Sequence, residues 1–140
     1  ANRGEIAEGY LAERKATGRT VKDFAHEMVK VHQELLNQST SFREKNNVAL
    51  DTTHEEVSER IEESHKDLTE LNDKKPGKDW DREFLDNQVN DHEEMLEQLQ
   101  KAEQATTDPS LKEFIAKQSA GVQKLLTRAK DLKDKKAESD

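Results

Sequence analysis

The chain has 140 residues, 23 Lys and Arg against 31 Asp and Glu, a formal net charge of −8, and no cysteine. That length provides for one domain with a modest core, and without cysteine there are no disulfides, thiolate metal sites or cysteine nucleophiles. No apolar run approaches the ~20 residues of a membrane helix, no secretory leader stands at the N-terminus as given, and an acidic chain with one Trp and one Tyr is poorly suited to nucleic acid or anionic membranes.

Composition points two ways. Leu, Ile, Val and Phe number 27 of 140 and 39% of residues are charged, which leans toward disorder. Ala, Glu, Lys, Arg and Leu together make 67 of 140, the signature of long helices if the apolar residues keep a helical period. Periodicity decides between them.

The first segment, with Ile6, Ala7, Tyr10, Leu11 and Ala12, predicts a helix over about 3–17, and Gly18 is placed to end it in a left-handed conformation. The next stripe runs Val21, Phe24/Ala25, Met28, Val31/His32, Leu35, Ser39, Phe42. Its steps of three and four predict a helix over about 20–45, with Thr20 and Asp23 as a capping box. Val57, Ile61, Ser64, Leu68 and Leu71 predict a shorter helix over about 53–72, capped by Thr52 with Glu55 or Thr53 with Glu56. Pro76-Gly77 breaks the chain before Trp80/Phe84, Leu85, Val89, His92, Met95/Leu96, Leu99 and Ala102, which predict a helix over about 79–105 with Asp79 as its cap. Asp108-Pro109 is a strong start signal for a last helix over about 109–136, carrying Leu111, Phe114/Ile115, Gln118, Val122, Leu125, Ala129 and Leu132. The charged tail from Lys130 to Asp140 is expected to fray.

No stretch alternates with period two, so the expected fold is all-α. Long helices that are apolar on one stripe must bury those stripes against one another. The economical arrangement is an antiparallel four-helix bundle in a single domain spanning 1–140, with the shorter helix in the connection between the second and third long helices.

Polar residues on the apolar stripes carry the functional signal, because burying them costs free energy unless they are paired. His32 falls between Met28 and Leu35, and His92 between Val89 and Leu96. Facing side chains in a bundle core are where such folds assemble metal sites; the alternative is that each imidazole bonds a neighbouring carbonyl or carboxylate. His26 sits beside Lys22 and Asp23 on a charged face, His54 in a first turn, and His65 flanks the Ile61–Leu68 stripe. Glu62-x-x-His65 is the only Glu-x-x-His in the chain, whereas a carboxylate-bridged di-iron site usually has two. Asp81 lies in a first helical turn, where a carboxylate suits the dipole and can bond free N–H groups, and Arg82 can pair with an acidic neighbour. Asp91 projects about 100° from His92 around the helix and need not share its surroundings. No nucleophile constellation and no glycine-rich phosphate loop is present, so no catalytic residue is assigned.

Four segments together carry a family resemblance. Trp80-Asp81-Arg82-Glu83-Phe84-Leu85 followed by Val89-Asn90-Asp91-His92-Glu93 resembles the "FDraYl…v.DHe" signature of the DUF4142 family. The stretch from Val21 to His32 is similar to its "v.dFA..Mv.DH" helix, Glu5 through Ala12 to its "E..lg.lA" opening, and Asp108 to Phe114 to its "dp.lk.FA". The resemblance runs in order through nearly the whole chain. It implies a ferritin-like four-helix bundle, exported in bacteria to the periplasm or outer envelope, with no established activity. It also implies a polar cluster of Glu5, His32 and His92, candidate ligands for a transition metal such as Fe or Zn. Two positions depart from the pattern: Val31 stands where an aspartate is expected, and Leu125 where the last helix carries a histidine. The ligand set is thereby reduced, and a three-ligand site should bind more weakly.

The leading expectation is therefore an exported helical bundle of unassigned, non-catalytic binding or structural role. The first alternative is a metal-binding bundle with oxidase, storage or peroxide-handling activity through Glu5, His32 and His92. The second is a module that docks a partner helix or self-associates. Because the chain starts inside the first expected helix, further residues are expected upstream of Ala1.

Overall fold

The computed structural model of the chain describes residues 2–46 and 65–139, and every element within them is a helix. These are α1 (Asn2–Lys15), α2 (Arg19–Asn46), a short α3 helical over 65–73, α4 (Lys78–Ala105) and α5 (Pro109–Ser139). All expected helices are found, save that the first part of the 53–72 helix, with His54 and Glu62, lies outside the described residues. The last helix runs past 136 to Ser139. Its charged end contains no helix breaker, and Lys130 and Lys133 hold it to Glu93 and Asp86 of α4.

The helix starts depart from the expected caps at Gly18, Thr20 and Asp79. Gly18 does not end α1 in a left-handed conformation, since Gly77 is the only described glycine with positive φ. Instead the Gly18 carbonyl accepts from Lys22 N–H and opens α2, so Thr20 falls inside the first turn rather than at the cap. Asp79 likewise sits inside α4, whose cap is Gly77 at φ 155°, a backbone region that glycine alone enters at little cost. The Asp108-Pro109 signal holds: Asp108 Oδ1 accepts from Ser110 N–H at 3.0 Å, directly at the start of α5.

Residue pairs give the direction of each helix. Glu13 meets His26 and Gly9 lies against Val29, so α1 and α2 are antiparallel. Gln118 reaches Leu35, Phe42 stacks on Phe114 at 4.5 Å, and Lys124 and Arg128 both pair with Glu27, so α5 is antiparallel to α2. Glu93 pairs with Lys130 and Asp86 with Lys133, so α5 is also antiparallel to α4. In contrast, Phe24 meets Phe84 and His32 meets His92. α2 and α4 therefore run the same way, which the intervening connection over 47–77 permits; short turns force antiparallel neighbours only at 16–18 and 106–108.

The apolar stripes bury each other as their period requires. One cluster gathers Leu11, Ala12, Val21, Phe24, Ala25, Met28, Trp80, Phe84, Leu85, Leu125 and Ala129. Trp80 stacks on Phe84 at 5.5 Å and donates its indole N–H to the Leu71 carbonyl at 2.8 Å, tying α3 to α4. A second, smaller cluster holds Leu35, Met95 and Val122. His32 lies between Met28 and Leu35 in sequence, and His92 between Val89 and Met95, so a polar layer separates the two apolar ones.

Candidate metal centre

Three helices supply this polar layer. α1 brings Glu5 and Glu8, α2 brings His32, and α4 brings Gln88, Asp91 and His92. His32, Gln88 and His92 are wholly buried, and Glu5 and Glu8 retain 5% and 1% exposure. Their placement follows from helical spacing: Glu5, Glu8 and Ala12 share one side of α1, and Phe84, Gln88 and His92 form an i, i+4 ladder on α4.

The expected trio of Glu5, His32 and His92 is brought together, one ligand atom from each lying within 4.8 Å of the others. The two imidazoles meet edge to face, with Nε2 atoms 3.0 Å apart. His92 Nδ1 is 2.7 Å from the Gln88 carbonyl, which can only accept, so Nδ1 carries the proton and Nε2 presents its lone pair to the cluster. The His32–His92 contact thus joins the two Nε2 atoms. Burial drives the His32 pKa down to about 3, helped by the neighbouring His92, and drives His92 down to about 4 against the pull of its bond to Gln88. Both rings are neutral near pH 7, the form that binds metals.

A second group of donors adjoins the first. Glu5, Glu8 and Asp91 also bring their carboxylate oxygens within 4.8 Å of one another. Desolvation, then the charges of Glu8 and Asp91, hold Glu5 well above the ordinary carboxyl range. Glu8 is raised to about 8, first by burial and then by Asp91, although Gln88 donates its amide N–H to Glu8 Oε2 at 3.3 Å. Glu5 Oε2, Glu8 Oε1 and Gln88 Oε1 are buried with no hydrogen-bond partner. Such orphaned oxygens are costly, and carboxylates crowded beside neutral imidazoles are the donor set that suits a divalent transition metal. The 3.0 Å between the two Nε2 atoms also fits: nitrogens about 2.0–2.1 Å from one ion at a tetrahedral angle stand about 3.3 Å apart. The residues present fit such an ion.

Sequence reading missed Glu8 and Gln88 and set Asp91 apart. Asp91 does diverge from His92, but toward α1, where Glu5 belongs to both groups. The other candidates lie elsewhere. His26 is an exposed partner of Glu13 at 3.2 Å, and His65 is exposed. Asp81 stands in the first turn of α4, as expected, and its carboxylate also reaches a second turn. Wholly buried, it accepts from Thr17 N–H at 2.9 Å, Gly18 N–H at 2.8 Å and Thr17 Oγ1 at 3.3 Å, clamping the turn between α1 and α2. Of the two departures, Leu125 is wholly buried in the larger apolar cluster, and Val31 is half-buried beside Gly121.

The chain is thus an all-helical protein with a buried layer of histidines and carboxyls. Residues 1–132 match the profile of a domain of unknown function, DUF4142, and the chain belongs to that family. Neither the curated proteins nor the solved structures contain a significant match to it. Among the described residues no helix is long and apolar enough to cross a membrane.

Proposed function

We propose that this chain is a metal-binding bundle of ferritin-like topology, in which Glu5, His32 and His92 hold a transition-metal ion. The carrying observation is the convergence of three buried donors from α1, α2 and α4 within 4.8 Å. A purely structural role leaves that layer as a net cost, because orphaned oxygens interrupt an otherwise apolar core. The helix directions support the topology: antiparallel neighbours, with α2 and α4 parallel across one long connection, as in bundles of the ferritin type. Export to the periplasm or outer envelope rests on the family resemblance and belongs to the same proposal.

Iron bound here would supply redox chemistry and zinc a Lewis acid or a structural tie. The chain's own contribution is clearer. The Gln88 carbonyl fixes the His92 ring so that its lone pair faces His32, the flanking apolar clusters exclude water, and Glu5 provides the anionic ligand. With Leu125 as hydrocarbon in the core, no histidine of α5 joins them.

Metal analysis and thermal melts with Fe(II), Zn(II), Mn(II) and Cu(II) test the reading. At least one ion should raise the melting temperature and be retained through desalting, and His32→Ala should abolish both effects. If none raises it, and His32→Ala leaves metal content unchanged, the proposal fails.

A further inference from the structure

Glu5 is common to two overlapping sets of buried donors, one with His32 and His92 and the other with Glu8 and Asp91. A carboxylate has two oxygens and can serve two cations at once. We infer that the layer takes a pair of divalent cations: one between Glu5, His32 and His92, the other between Glu5, Glu8 and Asp91, with Glu5 as the bridge. The inference rests on the reading of the first trio given above and adds a second subsite to it.

Two observations besides the clustering of acids carry it. Glu8 is almost wholly buried, yet its Oε1 has no hydrogen-bond partner, and Glu5 Oε2 is in the same state. The neighbouring Gln88, bonded to Glu8 through its amide nitrogen, leaves its own Oε1 buried and unpartnered, a neutral oxygen donor beside the carboxylates. The all-oxygen set of Glu5, Glu8 and Asp91 favours harder cations such as Mn(II) or Fe(II), while the imidazoles admit Zn(II) as well.

Titration of the whole chain with Mn(II) alone, read by equilibrium dialysis and electron paramagnetic resonance, decides the matter. The wild type should bind two ions per chain, and their coupling through Glu5 should broaden away the hyperfine pattern of isolated Mn(II). Glu8→Gln and, separately, Asp91→Asn should each bind one ion and restore that pattern, with circular dichroism confirming the fold. One ion in the wild type, unchanged in both variants, overturns the second subsite and leaves the first standing. Two ions in the wild type and in both variants overturns it as well, since the second ion then lies elsewhere. No bound Mn(II) overturns the pair, and the Zn(II) and Fe(II) melts above then judge the first trio alone.

Discussion

His32 and His92 present their Nε2 atoms to each other at 3.0 Å across sixty residues of sequence, while the far nitrogen of His92 is held at 2.7 Å by the Gln88 carbonyl. One backbone oxygen thus selects the tautomer of His92. An ion held between the rings would take the lone pairs of both Nε2 atoms, with the proton of each neutral ring on Nδ1.

That arrangement makes a spectroscopic prediction. Both rings should remain neutral in the folded, metal-free protein well below the ordinary histidine pKa, since burial lowers them to about 3 and 4. Nitrogen-15 spectra should show His92 protonated at Nδ1 and no imidazolium for either ring at pH 5.5. The sign for stability follows. A folded pKa below the unfolded one gives stability that is complete above about 6.5 and lost as pH falls toward the folded values. Urea unfolding should therefore show a decline on the acid side of about 4.5, where the buried carboxyls no longer oppose the two rings.

The carboxyls act in the opposite sense. Glu8 is raised from 4.5 to about 8, so its contribution is fully present below pH 4.5 and is lost as pH rises through 8. Between 4.5 and 6.5 the two effects oppose each other; above 6.5 only the carboxyls act. The metal-free wild type should lose stability from pH 6.5 to 9, and Glu8→Gln, which resembles the protonated acid, should flatten that decline. Equal slopes in wild type and variant would refute the assignment of buried protonated carboxyls.

Asp81 carries a structural prediction independent of metal. It is wholly buried and takes three hydrogen bonds from Thr17 and Gly18. Asp81→Ala should destabilise the protein by about 3 kcal/mol, the scale of losing charge-assisted bonds and leaving donors unsatisfied. A loss below about 0.5 kcal/mol in urea would show that the turn between α1 and α2 does not depend on this clamp.

Two helical glycines should respond differently to a methyl group. A Cβ at Gly9 would stand 2.5 Å from Val29 Cγ2 and 3.2 Å from the Ala25 carbonyl, with a stiff side chain and backbone in its way. Gly9→Ala should cost about 1–3 kcal/mol by pushing α1 off α2, despite the gain in helix propensity. At Gly121 the neighbours are the side-chain ends of Leu35 and Val31 at 3.1–3.4 Å, which can give way, so Gly121→Ala should fall within about 0.5 kcal/mol of wild type. Chemical denaturation of both variants checks the contrast.

The long helices were legible because their apolar residues recur every three or four positions, and His32 and His92 were legible as polar interruptions of those stripes. Glu5 entered only through the family resemblance. Glu8 was hidden because α1 looks amphipathic around Ile6, Ala7 and Tyr10, whereas its buried side carries Glu5, Glu8, Leu11 and Ala12 and leaves Tyr10 48% exposed. Nothing local in a charged helix shows which of two faces turns inward. Asp81 was placed in the right turn, but its partners come from residues 17 and 18, a long-range contact without a sequence period. The parallel course of α2 and α4 depends on a connection whose path composition does not specify.

The most direct measurement is an anomalous-difference map from a crystal of the protein loaded with Zn(II) or Fe(II). A peak is expected within about 2.0–2.2 Å of His32 Nε2, His92 Nε2 and a Glu5 carboxylate oxygen. Peaks confined to exposed groups such as His26 and His65, with the two buried imidazoles still bonded to each other, would contradict it.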